Sequence, residues 1–213
     1  MRYQPVTSPC AWTAAEFDSP DDYSITLSPE QQAALRACTL RTAERGHDLE
    51  TVTAADFSHP DLDAGLSSIQ KELRSGRGLV LLRGLPISGL GDETVALMYW
   101  GLGTHLGIGV SQSARGDRLG YVRDETRPGE PESARGYLSR RELGLHTDLA
   151  ELVGLMCVRP AKRGGESVVV SAMALWNVIV EERPDLVPVF LEGFPFHRRV
   201  EEAPDAEPVT PYA

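Results

Sequence analysis

Apolar side chains recur at helical spacing through the first half of the chain, and this pattern predicts three helices before residue 107. The first is predicted after Ser28-Pro29, because an N-cap serine followed by proline is typical of a helix start, and it ends at Gly46. The second is predicted from about residue 61 to residue 75. The third begins near Asp92, and the glycines at 101, 103 and 107 are expected either to end it or to allow close packing on the sheet.

Short apolar runs bounded by turn residues predict strands. Residues 79–86 form a continuous apolar run between glycine and proline, which is typical of a buried strand. From residue 106 onward, further short strands are predicted at 119–122, 136–138, 152–158 and 167–171. Residues 123–135 predict a long polar loop of the kind that forms lids or binding loops. Ser171 is predicted to cap another helix, and Pro184 to open a short helical piece that ends at Gly193.

This order of elements predicts a single α+β domain. Residues 1–27 are expected to form an irregular arm that packs aromatic rings onto the body. Residues 28–105 are expected to form a helical part with one buried strand, and residues 106–200 the first half of a β-core. Residues 201–213 are expected to form a loop.

Composition narrows the class of protein. With 41% hydrophobic and 24% charged residues, the chain is typical of a globular protein. A net charge of -10 argues against a nucleic-acid surface, which needs clustered Lys and Arg. The three cysteines form no Cys-x-x-Cys motif, so neither a disulfide framework nor a structural zinc site is expected. Because no signal peptide or membrane-length apolar run occurs, the predicted location is the cytoplasm, with no membrane partner.

The strongest candidate for chemistry is the Gly-Leu-His-Thr-Asp run at 144–148. If His146 and Asp148 lie on one strand, their side chains project to the same face. An imidazole nitrogen and a carboxylate oxygen would then converge, and these are two of the three ligands of the facial triad that holds Fe(II). A second His-x-Asp, at residues 59–61, shows that the triplet alone proves little. There a proline prevents strand pairing, and Asp61 is expected to cap a helix.

The surroundings of the first triplet are similar to those in one protein family. His146-Thr-Asp148 is followed by Leu-Met-Cys-Val at 155–158 and by Gly-Gly-Glu-Ser at 164–167. This combination resembles the Fe(II)/2-oxoglutarate dioxygenases of the TauD/TfdA (taurine dioxygenase and clavaminate synthase-like) superfamily, and the resemblance spans roughly residues 70 to 200. It implies a double-stranded β-helix, or jelly roll, with N-terminal helices. It also implies oxidation of a small molecule, such as an amino acid or natural-product intermediate, with O2 and 2-oxoglutarate.

The resemblance also implies roles for individual residues. It makes His146 and Asp148 ligands of Fe(II). It places Ser167 where the family commonly has a threonine whose hydroxyl helps hold a 2-oxoglutarate carboxylate. Gln112 resembles a substrate-contacting position, and Glu151 is a candidate substrate-facing or supporting carboxylate. The simpler alternatives for these three are a strand serine bonded to backbone or water, a surface glutamine and a solvated carboxylate.

The chain also departs from the family pattern. The family's third ligand is a second histidine far downstream, followed by an arginine that pairs with the other 2-oxoglutarate carboxylate. Only His197 follows Asp148 here, and by resemblance it lies in scaffold before the second half of the barrel. The jelly roll is therefore expected to be incomplete in this chain, an N-terminal portion of such an enzyme. Unpaired strand edges are then expected to make the chain poorly soluble or a weak binder of iron by itself.

Two other functions remain open from the residues alone. The chain is alternatively a non-catalytic remnant or interaction module that retains half of the fold. It is alternatively a metal-dependent hydrolase or cupin-like binder that uses His146, Asp148 and His197. The identity of the substrate and the oligomeric state are open at this point.

Overall fold

The computed structural model describes residues 3–112, 116–123, 142–148, 150–195, 207, 209 and 210. Helices dominate this part of the chain, and the strands in it are short. The elements in chain order are β1 (Ser24–Thr26), α1 (Pro29–Glu44), α2 (Pro60–Ser75), β2 (Leu81–Arg83), α3 (Asp92–Leu106), α4 (Ala172–Glu182) and α5 (Val187–Glu192). None of the described helices is long and apolar enough to cross a lipid bilayer.

Helix α1 begins as its sequence predicts. The Ser28 hydroxyl accepts a hydrogen bond from the Gln31 backbone N–H at 3.2 Å, and the Gln31 side chain accepts one from the Ser28 N–H at 2.9 Å. Two backbone donors at the helix start are thus satisfied by side chains. The inward face buries Leu35 and Cys38 completely. The predicted helix is confirmed.

Helix α2 is also confirmed, but its predicted cap is wrong. The N-cap residue is His59, whose Nδ1 accepts a hydrogen bond from the Asp61 N–H at 3.3 Å. Asp61 itself lies in the first turn, where a carboxylate is favoured by the unpaired N–H groups at the helix start. The sequence prediction misassigned the cap because histidine is an uncommon N-cap residue.

Helix α3 runs through two of the three glycines that were expected either to end it or to allow close packing. Gly101 and Gly103 lie inside the helix, which stops before Gly107. Gly101 is needed for packing, because a Cβ at this position would lie 2.2 Å from the Phe57 ring. The fully buried Phe57 comes from a 3-10 turn, Ala54–Phe57, that joins α1 to α2. Together with side chains of α1, α2 and α3 it forms the main hydrophobic core.

The two strands pair in parallel, with Ile25 opposite Leu82. Parallel neighbours require a crossover connection, and α1 and α2 provide it. β2 confirms a strand within residues 79–86, but the prediction that it is buried is wrong. Leu81 is 38% exposed and Leu82 is only half-buried, because β2 pairs with a single neighbour in a two-stranded sheet. β1 was not predicted, since three residues, Ser-Ile-Thr, carry no recognisable apolar pattern.

Aromatic side chains of the first 27 residues stack on one another and on the body. The Phe17 ring lies 5.3 Å from both the Trp12 and the Tyr23 ring, edge to face in each case. The Arg77 guanidinium lies 5.2 Å from the Phe17 centroid, and the Trp12 indole N–H donates to the Arg77 carbonyl at 3.0 Å.

The N-terminal arm also holds α4. The Asn177 side chain makes two hydrogen bonds to the backbone of Val6: it accepts from the N–H at 2.6 Å and donates to the carbonyl at 2.9 Å. Ser171 is the N-cap of α4, as predicted, since its hydroxyl accepts from the Ala174 N–H at 2.9 Å. The same hydroxyl donates to the Cys10 carbonyl at 2.5 Å.

The strands predicted after residue 106 are not formed among the described residues. Residues 119–122, 152–158 and 167–170 have no strand partner there, and residues 136–138 lie outside the described part. A strand is stable only when a neighbour pairs with it, and these segments find none in the described residues. The described residues therefore show mixed helix and strand, without the double-stranded β-helix that the resemblance implies.

Candidate functional site

His146 lies in an irregular stretch, residues 142–148, with a bend at Leu145. Its Nδ1 is 2.8 Å from the Gly144 carbonyl oxygen. A carbonyl oxygen only accepts hydrogen bonds, so Nδ1 is the donor in this contact and the neutral ring keeps its lone pair on Nε2. This is how metal-binding histidines are commonly oriented, with one nitrogen anchored and the other free.

The free nitrogen points to Asp148. His146 Nε2 lies 3.8 Å from Asp148 Oδ1, and the two side chains are 50% and 55% exposed. Residues 146–148 form no strand with other described residues, so the condition under which both side chains would project to one face of a strand is not met, yet the side chains converge. An ion with bonds of about 2.0–2.2 Å to nitrogen and oxygen can reach both atoms at this separation, although at a wider angle than neighbouring ligands of a facial site make. The pair therefore offers two donor atoms that one ion can contact.

A third ligand is not found in the described part of the chain. No group of three His, Cys, Asp or Glu side chains there is arranged to hold a metal ion. His197, the remaining downstream histidine, lies outside the described residues. The donor set that the structure displays is one imidazole and one carboxylate.

The other His-x-Asp triplet is a natural comparison. His59 Nδ1 is 3.5 Å from Asp61 Oδ2, so the separation resembles that of the first pair. However, the same nitrogen accepts the hydrogen bond that caps α2. At His59, the ring nitrogen that lies nearest the carboxylate, Nδ1, is therefore already hydrogen-bonded. At His146, the corresponding nitrogen is Nε2, and it makes no hydrogen bond within the described residues.

Ser167 lies in an exposed segment without regular secondary structure, after a bend at residues 162–163. Gly164 and Gly165 follow the bend, and their φ values of 71° and 83° lie in the left-handed region that glycine adopts readily. No hydrogen bond or ion pair among the described residues joins Ser167 to the His146 and Asp148 pair.

Gln112 and Glu151 are exposed, and no described contact joins either to the pair. The Gln112 side-chain amide donates to the Val110 carbonyl at 3.2 Å, and its backbone N–H donates to the Asp117 carbonyl at 2.7 Å. Both bonds of Gln112 are thus made to residues near it in the chain. The substrate-contacting roles of Gln112 and Glu151 remain predictions.

Two contacts with helix α3 position the segment that follows His146 and Asp148. The sequence analysis did not predict either contact. Arg159 pairs with Asp92 at 3.0 Å. Tyr99 packs so closely on Gly154 that a Cβ there would lie 2.5 Å from the phenol oxygen, and burial raises the pKa of Tyr99. A glycine inside an apolar run was the available signal, since it often marks a close approach of other groups.

Comparison with known proteins decides the family. A family model described as "Taurine catabolism dioxygenase TauD, TfdA family" matches residues 42–211, a stretch that includes His146, Asp148 and Ser167. The chain belongs to this family. Membership in the TauD/TfdA family confirms the resemblance that the runs at 144–148 and 164–167 indicated.

Two curated relatives agree with this assignment. The chain is 31% identical over 209 residues to FR-33289 synthase of Streptomyces rubellomurinus, covering 96% of this chain and 61% of that protein. It is 25% identical over 202 residues to the taurine hydroxylase-like protein SAT17 of Stachybotrys chartarum, covering 91% of this chain and 52% of that protein. The chain thus spans between half and two-thirds of the length of these two relatives.

Proposed function

We propose that this chain forms part of a non-haem Fe(II)- and 2-oxoglutarate-dependent dioxygenase, with His146 and Asp148 as two of the iron ligands. The observation that carries the proposal is the anchoring of His146. Its Nδ1 is bonded to the Gly144 carbonyl, while Nε2 remains free 3.8 Å from a carboxylate oxygen. This donor chemistry, one imidazole and one carboxylate, matches two of the three ligands of a facial Fe(II) site.

Each of these residues has a definite task. The Gly144 carbonyl fixes the ring orientation and raises the basicity of the ligating nitrogen. Asp148 contributes negative charge that favours a divalent cation. Fe(II), when bound, supplies the redox centre at which O2 and 2-oxoglutarate are consumed. The exposure of both side chains leaves room on the open side for the small molecules that must reach the same point.

Ser167, Gln112 and Glu151 complete the proposed site. The Ser167 hydroxyl is proposed to donate to a carboxylate of 2-oxoglutarate, and the other two side chains to contact the substrate. In this arrangement residues 106–200 form the first half of a jelly roll. The substrate is a small molecule such as an amino acid or a natural-product intermediate. The names of the relatives, a synthase and a taurine hydroxylase-like protein, are consistent with that class.

Metal binding tests the assignment of the ligands. Titration of the full chain with Fe(II) and 2-oxoglutarate, without oxygen, is expected to produce a weak visible charge-transfer band. His146→Asn is expected to weaken Fe(II) binding, because an amide is a poor substitute for imidazole. Loss of a residue that only supports a metal ligand typically weakens binding by about 10–100-fold, so loss of a ligand should have at least this effect. Asp148→Asn is expected to act in the same direction.

The second triplet provides a matched control. His59→Asn makes the same substitution where asparagine preserves the helix cap, so iron affinity should not change. Equal loss of Fe(II) binding at both positions, or no loss at His146, would contradict the assignment.

A non-catalytic module that retains half of the fold is the second candidate function. One observation favours it: no group of three side chains arranged to hold a metal ion occurs among the described residues. Succinate release distinguishes the two functions. An iron-dependent release of succinate from 2-oxoglutarate by the longest natural form of the protein favours the enzyme, whereas Fe(II) binding by that form without any turnover favours the module.

A further inference from the structure

Helix α3 contacts two separate segments that carry residues of the proposed site. The first, which we term the Gln112 segment, consists of residues 109–112 and 116–118. The second is the 150–159 segment, which follows the proposed iron ligands in the chain. Adjacent residues of the helix contact them, Trp100 the first and Tyr99 the second. Because neighbouring residues of a helix point roughly 100° apart around its axis, one helix can support two segments in this way.

Trp100 packs directly against the backbone of the Gln112 segment. A Cβ at Gly109 would overlap the indole ring, so only glycine allows this approach. The Arg118 guanidinium lies 6.0 Å from the centroid of the same ring and donates a hydrogen bond to the Gly109 carbonyl at 3.5 Å. The indole therefore contacts the segment on both sides of Gln112, whose own N–H donates to the Asp117 carbonyl at 2.7 Å.

Tyr99 packs in a similar way against the 150–159 segment. A Cβ at Gly154 would lie 2.5 Å from the phenol oxygen and 3.4 Å from Cζ, the ring carbon that carries this oxygen. Two turns earlier on the same face of α3, Asp92 pairs with Arg159 at 3.0 Å. The segment thus runs in the opposite direction to the helix and is held to it at two points.

The helix is a firm support because it belongs to the main hydrophobic core. Met98, which precedes the two aromatic residues, is fully buried, and Leu97 and Leu102 are only 5% and 7% exposed. Close packing of this kind fixes the helix in place. The two supported segments have no regular secondary structure among the described residues. Their positions therefore depend on the side chains of α3 that they contact.

We propose that Tyr99 and Trp100 are positioning residues of the proposed dioxygenase. Tyr99 holds the segment that adjoins the iron ligands, and Trp100 holds Gln112 where it contacts the substrate. The inference rests on the proposed function, since it takes His146 and Asp148 as ligands and Gln112 as a substrate contact. Small displacements matter in such a site, because a shift of about 1 Å caused far from the reacting atoms can lower a rate by about 100-fold.

A methyl group added at Gly154 tests the role of Tyr99. In Gly154→Ala the methyl group would overlap the phenol oxygen and displace the segment. The affinity of the longest natural form of the protein for Fe(II) is then expected to fall by about 10-fold, the lower end of the range for residues that support metal ligands. Adding Tyr99→Phe removes the oxygen and leaves Cζ at 3.4 Å, an ordinary contact, so most of the affinity should return.

Gly103→Ala is the matched control for this experiment. It adds the same methyl group to α3, where nothing lies within 4 Å, so the affinity for Fe(II) should not change. Melting temperatures of all variants without metal show that each affinity is measured on folded protein.

A methyl group added at Gly109 tests the role of Trp100. In Gly109→Ala the Gln112 segment is displaced from the indole, and hydrogen exchange at the Gln112 backbone amide is expected to become at least about 10-fold faster. Adding Trp100→Leu makes room for the methyl group and should slow this exchange again. The affinity for Fe(II) should stay the same in Gly109→Ala, because the proposed ligands do not lie on this segment.

The outcomes separate the inference from the proposed function. Unchanged affinity for Fe(II) in Gly154→Ala would overturn the inference while the unaltered protein still binds iron, and so would unchanged exchange at Gln112 in Gly109→Ala. Equal loss of Fe(II) affinity in both glycine variants would also overturn it, since that result indicates general loosening. Failure of the unaltered protein to bind Fe(II) would contradict the proposed function, and the inference with it.

Discussion

Gly101 and Gly103 lie two positions apart in α3 and have opposite surroundings. A Cβ at Gly101 would overlap the buried Phe57 ring, whereas a Cβ at Gly103 would meet nothing within 4 Å. Gly101 permits close packing. Gly103 only makes the helix less stable, because glycine loses more backbone entropy on folding than other residues do.

Alanine substitutions at these positions are expected to change stability in opposite directions. Gly101→Ala should lower the free energy of unfolding by about 1–3 kcal/mol, because an aromatic ring in a filled core cannot move aside cheaply. Gly103→Ala should raise it by up to about 1 kcal/mol through helix propensity. Chemical denaturation of both variants checks this. Equal effects would show that the Phe57 contact does not limit the packing of α3.

Single residues also show where sequence analysis succeeded and failed. The family was predictable from the runs at 144–148 and 164–167, because short chemical motifs can be recognised in a sequence before the fold is known. Whether a given histidine is free to bind metal was not predictable. The triplets at His59 and His146 look alike in sequence, and only the hydrogen bond at each Nδ1 distinguishes them.

Among the elements, α1 and α4 begin at the serine caps Ser28 and Ser171, and this local chemistry explains why the starts of these two helices were predictable. The turn Ala54–Phe57 illustrates the same chemistry. Asp56 accepts hydrogen bonds from the Thr53 N–H at 2.9 Å and the Thr53 hydroxyl at 2.8 Å, and these bonds lower the pKa of Asp56. The turn places Phe57 in the core, so its stability contributes to that of the domain.

Removal of the Asp56 charge is expected to make the free energy of unfolding less dependent on pH. Because the pKa of Asp56 is lower in the folded state, its contribution is present above the unfolded value of about 3.9 and is lost as the pH falls through the folded value. Asp56→Asn should therefore cost about 0.5–2 kcal/mol at pH 7 and progressively less below pH 4.

Unfolding free energies of Asp56→Asn and the unaltered chain, measured from pH 7 to pH 3, check this expectation. Glu44→Gln is a suitable control, since that exposed carboxylate makes no hydrogen bond to other described residues. A stability difference that grows on acidification would contradict the assignment.

Strands were predicted less well than helices for a physical reason. A helix satisfies its own backbone, whereas a strand needs a neighbour that its sequence does not specify. Residues 152–158 have the composition of a buried strand, but the described residues offer no partner. β1 shows the reverse: Ser24–Thr26 has little strand character and is a strand because β2 pairs with it.

For the whole molecule, the contact between Val6 and Asn177 joins residues 171 positions apart. Asn177→Ala is expected to lower the free energy of unfolding by about 1–3 kcal/mol, because it leaves two half-buried peptide groups of the arm without partners. Asn177→Asp keeps the acceptor for the Val6 N–H and should cost less. Thermal unfolding, with hydrogen exchange at Val6, checks the order of the two variants. Equal loss would indicate that the arm does not hold α4.

This contact also affects the order in which the protein is made. Val6 leaves the ribosome first, and adding the 171 positions to Asn177 takes roughly 10–30 seconds at about 5–20 residues per second. Helices α1, α2 and α3 have left the ribosome well before that. The peptide groups of Val6 therefore stay hydrated until α4 has been synthesised. Only then can the contact with Asn177 form. A bulky fusion placed before Val6 would thus slow the last step of folding, the docking of the arm on α4, rather than the first.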